Sequence, residues 1–102
     1  MTSESEKRAS FDMTKVKCYP NPFDDEITIE LNLSEQAEVQ IVVFNQLGQF
    51  VKTILHKERL LSGFHSLKWN GKDAGNHRAT AGIYHARSSV NNSIIHKKII
   101  LK

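Results

Sequence analysis

Residues 63–87 read GFHSLKWNGKDAGNHRATAGIYHAR, and this stretch predicts two strands joined by a polar loop. Side chains alternate between two faces with a period of two up to Trp69, the only tryptophan of the chain, which is typical of a strand with one buried face. Asn70 and Gly71 follow as a pair that turns the chain. A second strand is expected to begin at Gly82.

Tyr84 lies in this second strand, and we expect it to pack beside Trp69. It shares one face with Ala86, whereas Ile83 and His85 point to the other face. Large aromatic side chains contribute much of the buried area of a core. The pair is therefore expected to anchor the fold, either across one sheet or between two sheets.

Further strands are predicted upstream of this stretch. Residues 26–33 form the clearest one, because apolar and polar residues alternate throughout. Residues 39–43 repeat the pattern, and residues 45–48 (NQLG) predict a hairpin turn before a return strand at 50–55. We interpret residues 56–62 as a loop or one helical turn, since they are too few for an independent helix.

Both ends of the domain also read as strands. The first is expected from Lys15, and Pro-Asn-Pro at 20–22 ends it, because proline fixes φ and withholds a ladder donor. Phe23 follows as an apolar anchor. After a second hairpin at residues 91–92, the last strand is expected at 93–101.

These elements predict an all-β fold. Seven short strands, regularly spaced turns and no long helical period are typical of an immunoglobulin-like antiparallel β-sandwich. A chain of 102 residues can build one core without disulfides or a metal. We assign residues 15–102 to this domain and residues 1–14, which are rich in Ser, Glu, Lys and Arg, to a disordered linker or a cloning remnant.

Composition excludes several functional classes. A formal net charge of +3 is too small to indicate nucleic-acid binding, which requires a dense basic stripe. No apolar run is long enough to cross a membrane, and the N-terminus lacks the apolar core of a signal peptide. Cys18 is the only cysteine, so it cannot form an internal disulfide, and we expect a buried small apolar residue there.

The sequence contains no arrangement typical of catalysis or metal binding. Its five histidines are scattered and form neither an HxH nor an HExxH pair. The acidic turn at residues 24–26 lacks the ligand-rich loop of a calcium site. We therefore predict a protein that is not an enzyme and has no catalytic residue, cofactor or metal.

Five motifs carry a family resemblance. They are YPNPF at 19–23, FNQLGQFV at 44–51, GFHSLKWNGKDAGN at 63–76, AGIYHAR at 81–87 and KKIILK at 97–102. In this order, and ending at the chain terminus, they resemble the C-terminal sorting domain of the type IX secretion system. The W-x-G-x-D and G-x-Y patterns also occur in a related Ig-like module of flagellar hook-capping proteins, so the central motif indicates fold more than function.

The resemblance implies a domain that directs a secreted cargo protein to the outer membrane surface of Bacteroidetes-type bacteria. It implies passage through the periplasm at the end of a larger precursor, with the translocon and a cell-surface sortase as partners. The family's recognition features map onto Pro20, Asn21, Pro22, Gly82, Tyr84, Lys97, Lys98 and Lys102. Cys18 and the polar residues at 86–89 depart from the family pattern, which is more apolar there.

The residues leave alternatives open. The Pro-Asn-Pro segment can protect a strand edge instead of meeting a partner, and the terminal lysines can solubilise an edge strand. The domain can also be an Ig-like structural, adhesion or carbohydrate-binding accessory module, which an exposed row of aromatic side chains would favour. The sequence favours a monomer and leaves the oligomeric state open.

Overall fold

The computed structural model describes residues 14–102, which contain seven strands. In order these are β1 (Lys15–Tyr19), β2 (Ile27–Leu33), β3 (Ala37–Asn45), β4 (Phe50–Leu60), β5 (Gly63–Trp69), β6 (Gly82–Val90) and β7 (Ser93–Leu101). They form a three-stranded sheet, β1-β2-β5, and a four-stranded sheet, β4-β3-β6-β7. Neighbouring strands pair antiparallel throughout. The predicted antiparallel β-sandwich is confirmed, and the linker expected at 1–14 lies outside the described residues apart from Thr14.

The alternating segments bury the faces that their patterns predicted. In β2 the four apolar side chains are buried and the three polar ones between them are half-buried. In β3 Val39, Ile41 and Val43 are completely buried. Val42, on the outer face, is also buried, and the Arg87 guanidinium lies 5.0 Å from the centre of the Phe44 ring. The outer face of β3 is therefore partly covered at that end.

Three aromatic side chains form the centre of the core. Trp69 is 1% exposed, and its ring centroid lies 5.6 Å from that of Phe23 and 5.4 Å from that of Tyr84. Trp69 ends β5 in one sheet and Tyr84 lies in β6 of the other. The predicted Trp69–Tyr84 contact is thus formed between the sheets and holds them together.

The prediction for residues 56–62 is wrong. The return strand does not end at residue 55 but continues as β4 to Leu60, which pairs with Ala37 at the start of β3. The register between the strands shifts along this pair, and Lys57 takes a φ of 38°. Such irregularities bend a strand and break its period of two. The segment therefore does not read as a strand, although pairing with β3 makes it one.

Candidate functional site

The first and last motifs of the chain meet at the edge of the four-stranded sheet. β1 pairs with β2 as far as Tyr19, and the chain then crosses to the other sheet, where Phe23 forms a parallel bridge with Leu101. The Phe23 N–H donates to the Ile100 carbonyl at 2.9 Å, and the Lys102 N–H donates to the Phe23 carbonyl at 2.9 Å. Phe23 is buried, so it fixes the crossover both through its backbone and through the core.

Asn21 joins this edge through its side chain. Its Nδ2 donates to the Lys98 carbonyl at 3.0 Å, and its Oδ1 accepts from the Ile100 N–H at 2.9 Å. One donor and one acceptor at this spacing reproduce what a peptide group of a neighbouring strand would offer. The carboxamide of Asn21 therefore substitutes for a strand along this part of β7. This observation supports the edge-protecting role left open for residues 20–22.

Pro20 and Pro22 flank Asn21 in the crossover. Both prolines are exposed, and both follow cis peptide bonds. Neither can donate a backbone hydrogen bond. Asn21 is therefore the residue of segment 20–22 whose side chain forms hydrogen bonds with β7.

Gly82 and Tyr84 lie on the other side of the same part of β7. They pair with Leu101 and Ile99 respectively. Gly82 takes a φ of 154°, a conformation that favours glycine. The Tyr84 ring is buried, and its hydroxyl donates to the Thr80 carbonyl at 2.6 Å. Tyr84 therefore contributes to the core and to the loop before β6.

The three terminal lysines are exposed but do not form a single cluster. Ile95, Ile99 and Leu101 pack on the core, and Lys97 belongs to their face of β7 because side chains alternate along a strand. Lys98 therefore points to the outer face of the sheet. Lys102 lies beyond the end of β7, with its Nζ 3.8 Å from a carboxylate oxygen of Asp24.

Cys18 lies on the inner face of β1, between the sheets. Its side chain is half-buried and its thiol is free. Burial raises the pKa of this thiol, and the positive charge of Lys97 opposes the shift. Cys18 was expected to be a buried small apolar residue; it is half-buried and packs against the core.

Asp73 organises the loop between β5 and β6. Its Oδ1 accepts hydrogen bonds from the Gly75 and His77 N–H groups, each at 2.9 Å. The bond from His77 is the main cause that lowers the pKa of the Asp73 carboxyl. The Trp69 Nε1 donates to the Lys72 carbonyl at 2.8 Å. Trp69 and Asp73 of the W-x-G-x-D motif therefore hold the loop between β5 and β6 through these hydrogen bonds.

No candidate metal site is found within residues 14–102, where no group of three His, Cys, Asp or Glu side chains comes together. The exposed aromatic side chains do not form a row either. Tyr19 and Phe64 lie on the outer face of the three-stranded sheet, where Tyr19 pairs with Thr28 and Phe64 with Asn32, at opposite ends of β2. The exposed Phe50 lies on β4 of the other sheet and pairs with the half-buried Phe44, which makes one aromatic pair and no longer row. This arrangement gives the carbohydrate-binding alternative no support.

A cleft that no sequence motif predicts lies on the outer face of the four-stranded sheet. It has a volume of 480 Å³, and its lining includes Phe44, His85, Arg87 and His96. These residues come from three strands, and only the pairing of β3 with β6 and of β6 with β7 brings them together. No local signal in the sequence reveals that these side chains are neighbours.

Comparison with known proteins supports an Ig-like fold. The family model described as "FlgD Ig-like domain" matches residues 21–93, which confirms the Ig-like part of the fold prediction. No curated protein sequence matches the chain. In residues 14–102 no helix is long and apolar enough to cross a membrane.

Solved structures with the same fold come from Porphyromonas gingivalis. Dimeric latent PorU matches with a TM-score of 0.71 at 18% identity, over 86% of this chain and 9% of PorU. PorZ, described as an essential bacterial surface component of the type-IX secretion system, matches with a TM-score of 0.60 at 18% identity, over 92% of this chain and 12% of PorZ. The chain corresponds to a small part of each protein, and at this identity the likeness concerns the fold.

Proposed function

The chain belongs to the FlgD Ig-like domain family, and from this premise we propose that it is a C-terminal sorting domain of the type IX secretion system. It directs a secreted cargo protein to the outer membrane surface. In this proposal it acts as an address read by other proteins and performs no chemistry of its own.

The contact between the first and last motifs carries the proposal. Asn21 and Lys98 are 77 residues apart, yet the Asn21 side chain bonds to the Lys98 backbone. Pro20, Asn21 and Pro22 therefore present one surface with the end of β7. A partner can recognise such a composite surface only when the domain is folded, which suits a signal that reports a completed C-terminal domain.

The likeness to PorZ supports the same assignment. PorZ is described as a surface component of a type-IX secretion system, and this fold makes up a small part of it. The five sequence motifs and their order add a resemblance to the sorting domain itself. Fold alone does not determine function, so the proposal depends on the motifs at the two ends of the domain.

The proposed partners are the translocon and a cell-surface sortase. The domain would pass through the periplasm as the end of a larger precursor and reach the outer membrane surface or the exterior with its cargo. Lys97, Lys98 and Lys102 are exposed, so they are available to acidic groups of a partner. Pro20, Asn21 and Pro22 are exposed beside them, whereas the buried Tyr84 contributes by fixing β6 against β7.

Export of a reporter tests this function. Residues 15–102 are fused behind a signal peptide and a reporter, and release is measured in a bacterium with a type IX system. We expect the parent to be released and the triple variant Lys97→Ala, Lys98→Ala and Lys102→Ala to be retained. The variant should remain folded, since exposed substitutions change stability by no more than about 0.5 kcal/mol.

A matched control removes the same charge elsewhere. Lys57, Arg59 and Lys68 are also exposed, and their triple alanine variant should be released like the parent. If both triple variants are folded and released equally, the terminal lysines are not read by a partner. If the folded parent is not released, the sorting function itself is contradicted.

A further inference from the structure

The outer edge of β7 is covered along one half and bare along the other. The Lys98 carbonyl, the Ile100 N–H and carbonyl and the Lys102 N–H all bond to Asn21 or Phe23. Backbone groups of a strand alternate in direction, so the N–H and carbonyl groups of Ile94 and His96 point to this same edge. Within residues 14–102, β7 pairs with no strand other than β6, which leaves these groups unpaired.

The bare half exists because the N-terminal strand belongs to the opposite sheet. β1 pairs with β2, and the chain forms hydrogen bonds with β7 only after the crossover, at Asn21 and Phe23. Between β1 and the first half of β7 runs a groove of 490 Å³. Its lining residues are Thr14, Lys15, Val16, Lys17, Ile94, Ile95 and Lys97.

The groove combines an apolar floor with a cationic rim. Val16 is buried and Ile94 is 53% exposed, so the groove has apolar surface for side chains of a guest. Lys15, Lys17 and Lys97 are exposed around it. Glu30 of β2 lies opposite Lys17, but the segments that line the groove add no negative charge, since the sequence has no acidic residue in 14–23 or in 74–102.

We propose that the edge of β7 from Ser93 to Lys98 binds an extended acidic peptide segment of a partner protein as an added strand. Peptides bind in this way when main-chain hydrogen bonds to an open edge are joined by side-chain contacts in flanking pockets. Residues 93–98 contain no proline and the β6–β7 register is unbroken, so neither a proline nor a bulge blocks this edge. Lys97 and Lys98 are its charged residues, and they disfavour a basic guest strand while attracting an acidic one. Asn21 limits the guest, because its side chain already occupies the edge from the Lys98 carbonyl onward.

This site goes beyond the proposed function. It is defined by an open edge and a charged groove, and peptide binding is measured without export. A domain that is not a sorting signal could still bind the peptide, and a sorting signal could be read elsewhere on its surface.

The test uses the full chain and a blocked synthetic peptide of sequence Glu-Val-Glu-Val-Thr-Val-Glu. We expect saturable binding by calorimetry, together with slower amide exchange at Ile94 and His96. The same peptide with lysine in place of each glutamate should bind at least about tenfold more weakly, because each exposed charge pair contributes modestly and attraction becomes repulsion. A peptide with proline in place of its central valine should lose binding, since proline cannot donate to the edge.

Three variants of the chain locate the site. Lys97→Glu should weaken binding about three- to tenfold, whereas Lys57→Glu, on β4 at the opposite edge of the sheet, should leave it within about twofold. His96→Pro removes an N–H that points away from β6, so it should abolish binding while the β6–β7 pairing remains. If that variant fails to fold, amide exchange of the parent chain with and without the peptide still shows where the peptide binds.

Several outcomes would overturn the proposal. They are no binding of the acidic peptide at millimolar concentration, equal binding of the lysine peptide, and protection that appears on β4 instead of β7. Sedimentation can give a further contradicting outcome. If the chain dimerises and the Ile94 and His96 amides are protected without peptide, the edge pairs with a second copy of the chain and not with an acidic partner.

Discussion

The rings of Trp69 and Tyr84 meet edge to face between the two sheets, with centroids 5.4 Å apart and planes inclined at 67°. Trp69 also donates through Nε1 to the Lys72 carbonyl, and Tyr84 donates through its hydroxyl to the Thr80 carbonyl. Each ring therefore packs in the core with its apolar body and holds one end of the β5–β6 loop with its polar group.

Replacing Trp69 with alanine should strongly destabilise the domain. Removal of a buried tryptophan costs about 3–5 kcal/mol, against a total stability of about 5–15 kcal/mol. Urea titration measures the loss. Phe64→Ala is the control, because Phe64 lies on the same strand but is 72% exposed, and its loss should be far smaller. Equal stability of the two variants would contradict the core position of Trp69.

Tyr84→Phe should cost much less than Trp69→Ala. The ring is retained, and what is lost is the hydrogen bond to the Thr80 carbonyl with the longer contact to the Thr80 hydroxyl, so we expect a loss of about 0.5–1.5 kcal/mol. The same urea titration applies. Tyr19→Phe, at a tyrosine that is 46% exposed, should change stability by less than Tyr84→Phe, and the reverse order would show that the 2.6 Å contact does not stabilise the loop.

Asn21→Ala should open the covered half of the β7 edge. The Ile100 N–H loses its acceptor and the Lys98 carbonyl loses its donor, so the Ile100 amide should exchange faster. Asn21→Asp keeps the acceptor and should preserve most of the protection at Ile100. As a control, Gln36→Ala removes an exposed amide elsewhere and should leave Ile100 unchanged; unchanged exchange in Asn21→Ala would disprove the edge contact.

Ser88→Ala should stabilise the domain. Ser88 is completely buried on β6, and its hydroxyl has no hydrogen-bond partner within residues 14–102. A buried hydroxyl without a partner costs about 1–3 kcal/mol, so its removal should raise the free energy of unfolding by about 1 kcal/mol. Ser89→Ala is the control, because the Ser89 hydroxyl contacts the Asn91 carbonyl and is half-buried. A destabilised Ser88→Ala variant would mean that the hydroxyl has a partner.

The loop held by Asp73 should loosen in acid. The Gly75 and His77 N–H groups lower the pKa of the Asp73 carboxyl, so its stabilising contribution is present above the ordinary aspartate range. It is lost as the pH falls through the lowered, folded-state pKa. NMR titration should give a carboxyl pKa below the usual aspartate value, with the Gly75 and His77 amide signals moving in parallel. Asp73→Asn should remove this titration, and a normal or raised pKa would contradict the loop geometry.

Local sequence determined most of the strands of this protein. Alternation in residues 26–33 and 39–43 predicted the buried faces of β2 and β3, because a strand that is buried on one side must repeat with a period of two. The same reasoning placed Trp69 and Tyr84 in the core. The turn residues at 45–48 placed Gly48, which has a φ of 84°, in the first hairpin turn. These features depend on neighbours along the chain, which the sequence displays directly.

The tertiary structure decided how distant segments meet. Pairing with β3 makes residues 56–60 a strand in spite of their irregular pattern. Contact across the sandwich puts Trp69 and Tyr84 in different sheets, and Asn21 reaches a strand 77 residues away. Hydrogen bonds and packing between such segments depend on strand order and register, which no local period specifies. For that reason the sequence predicted the motifs at both ends of the domain, whereas only the folded chain joined them into one edge.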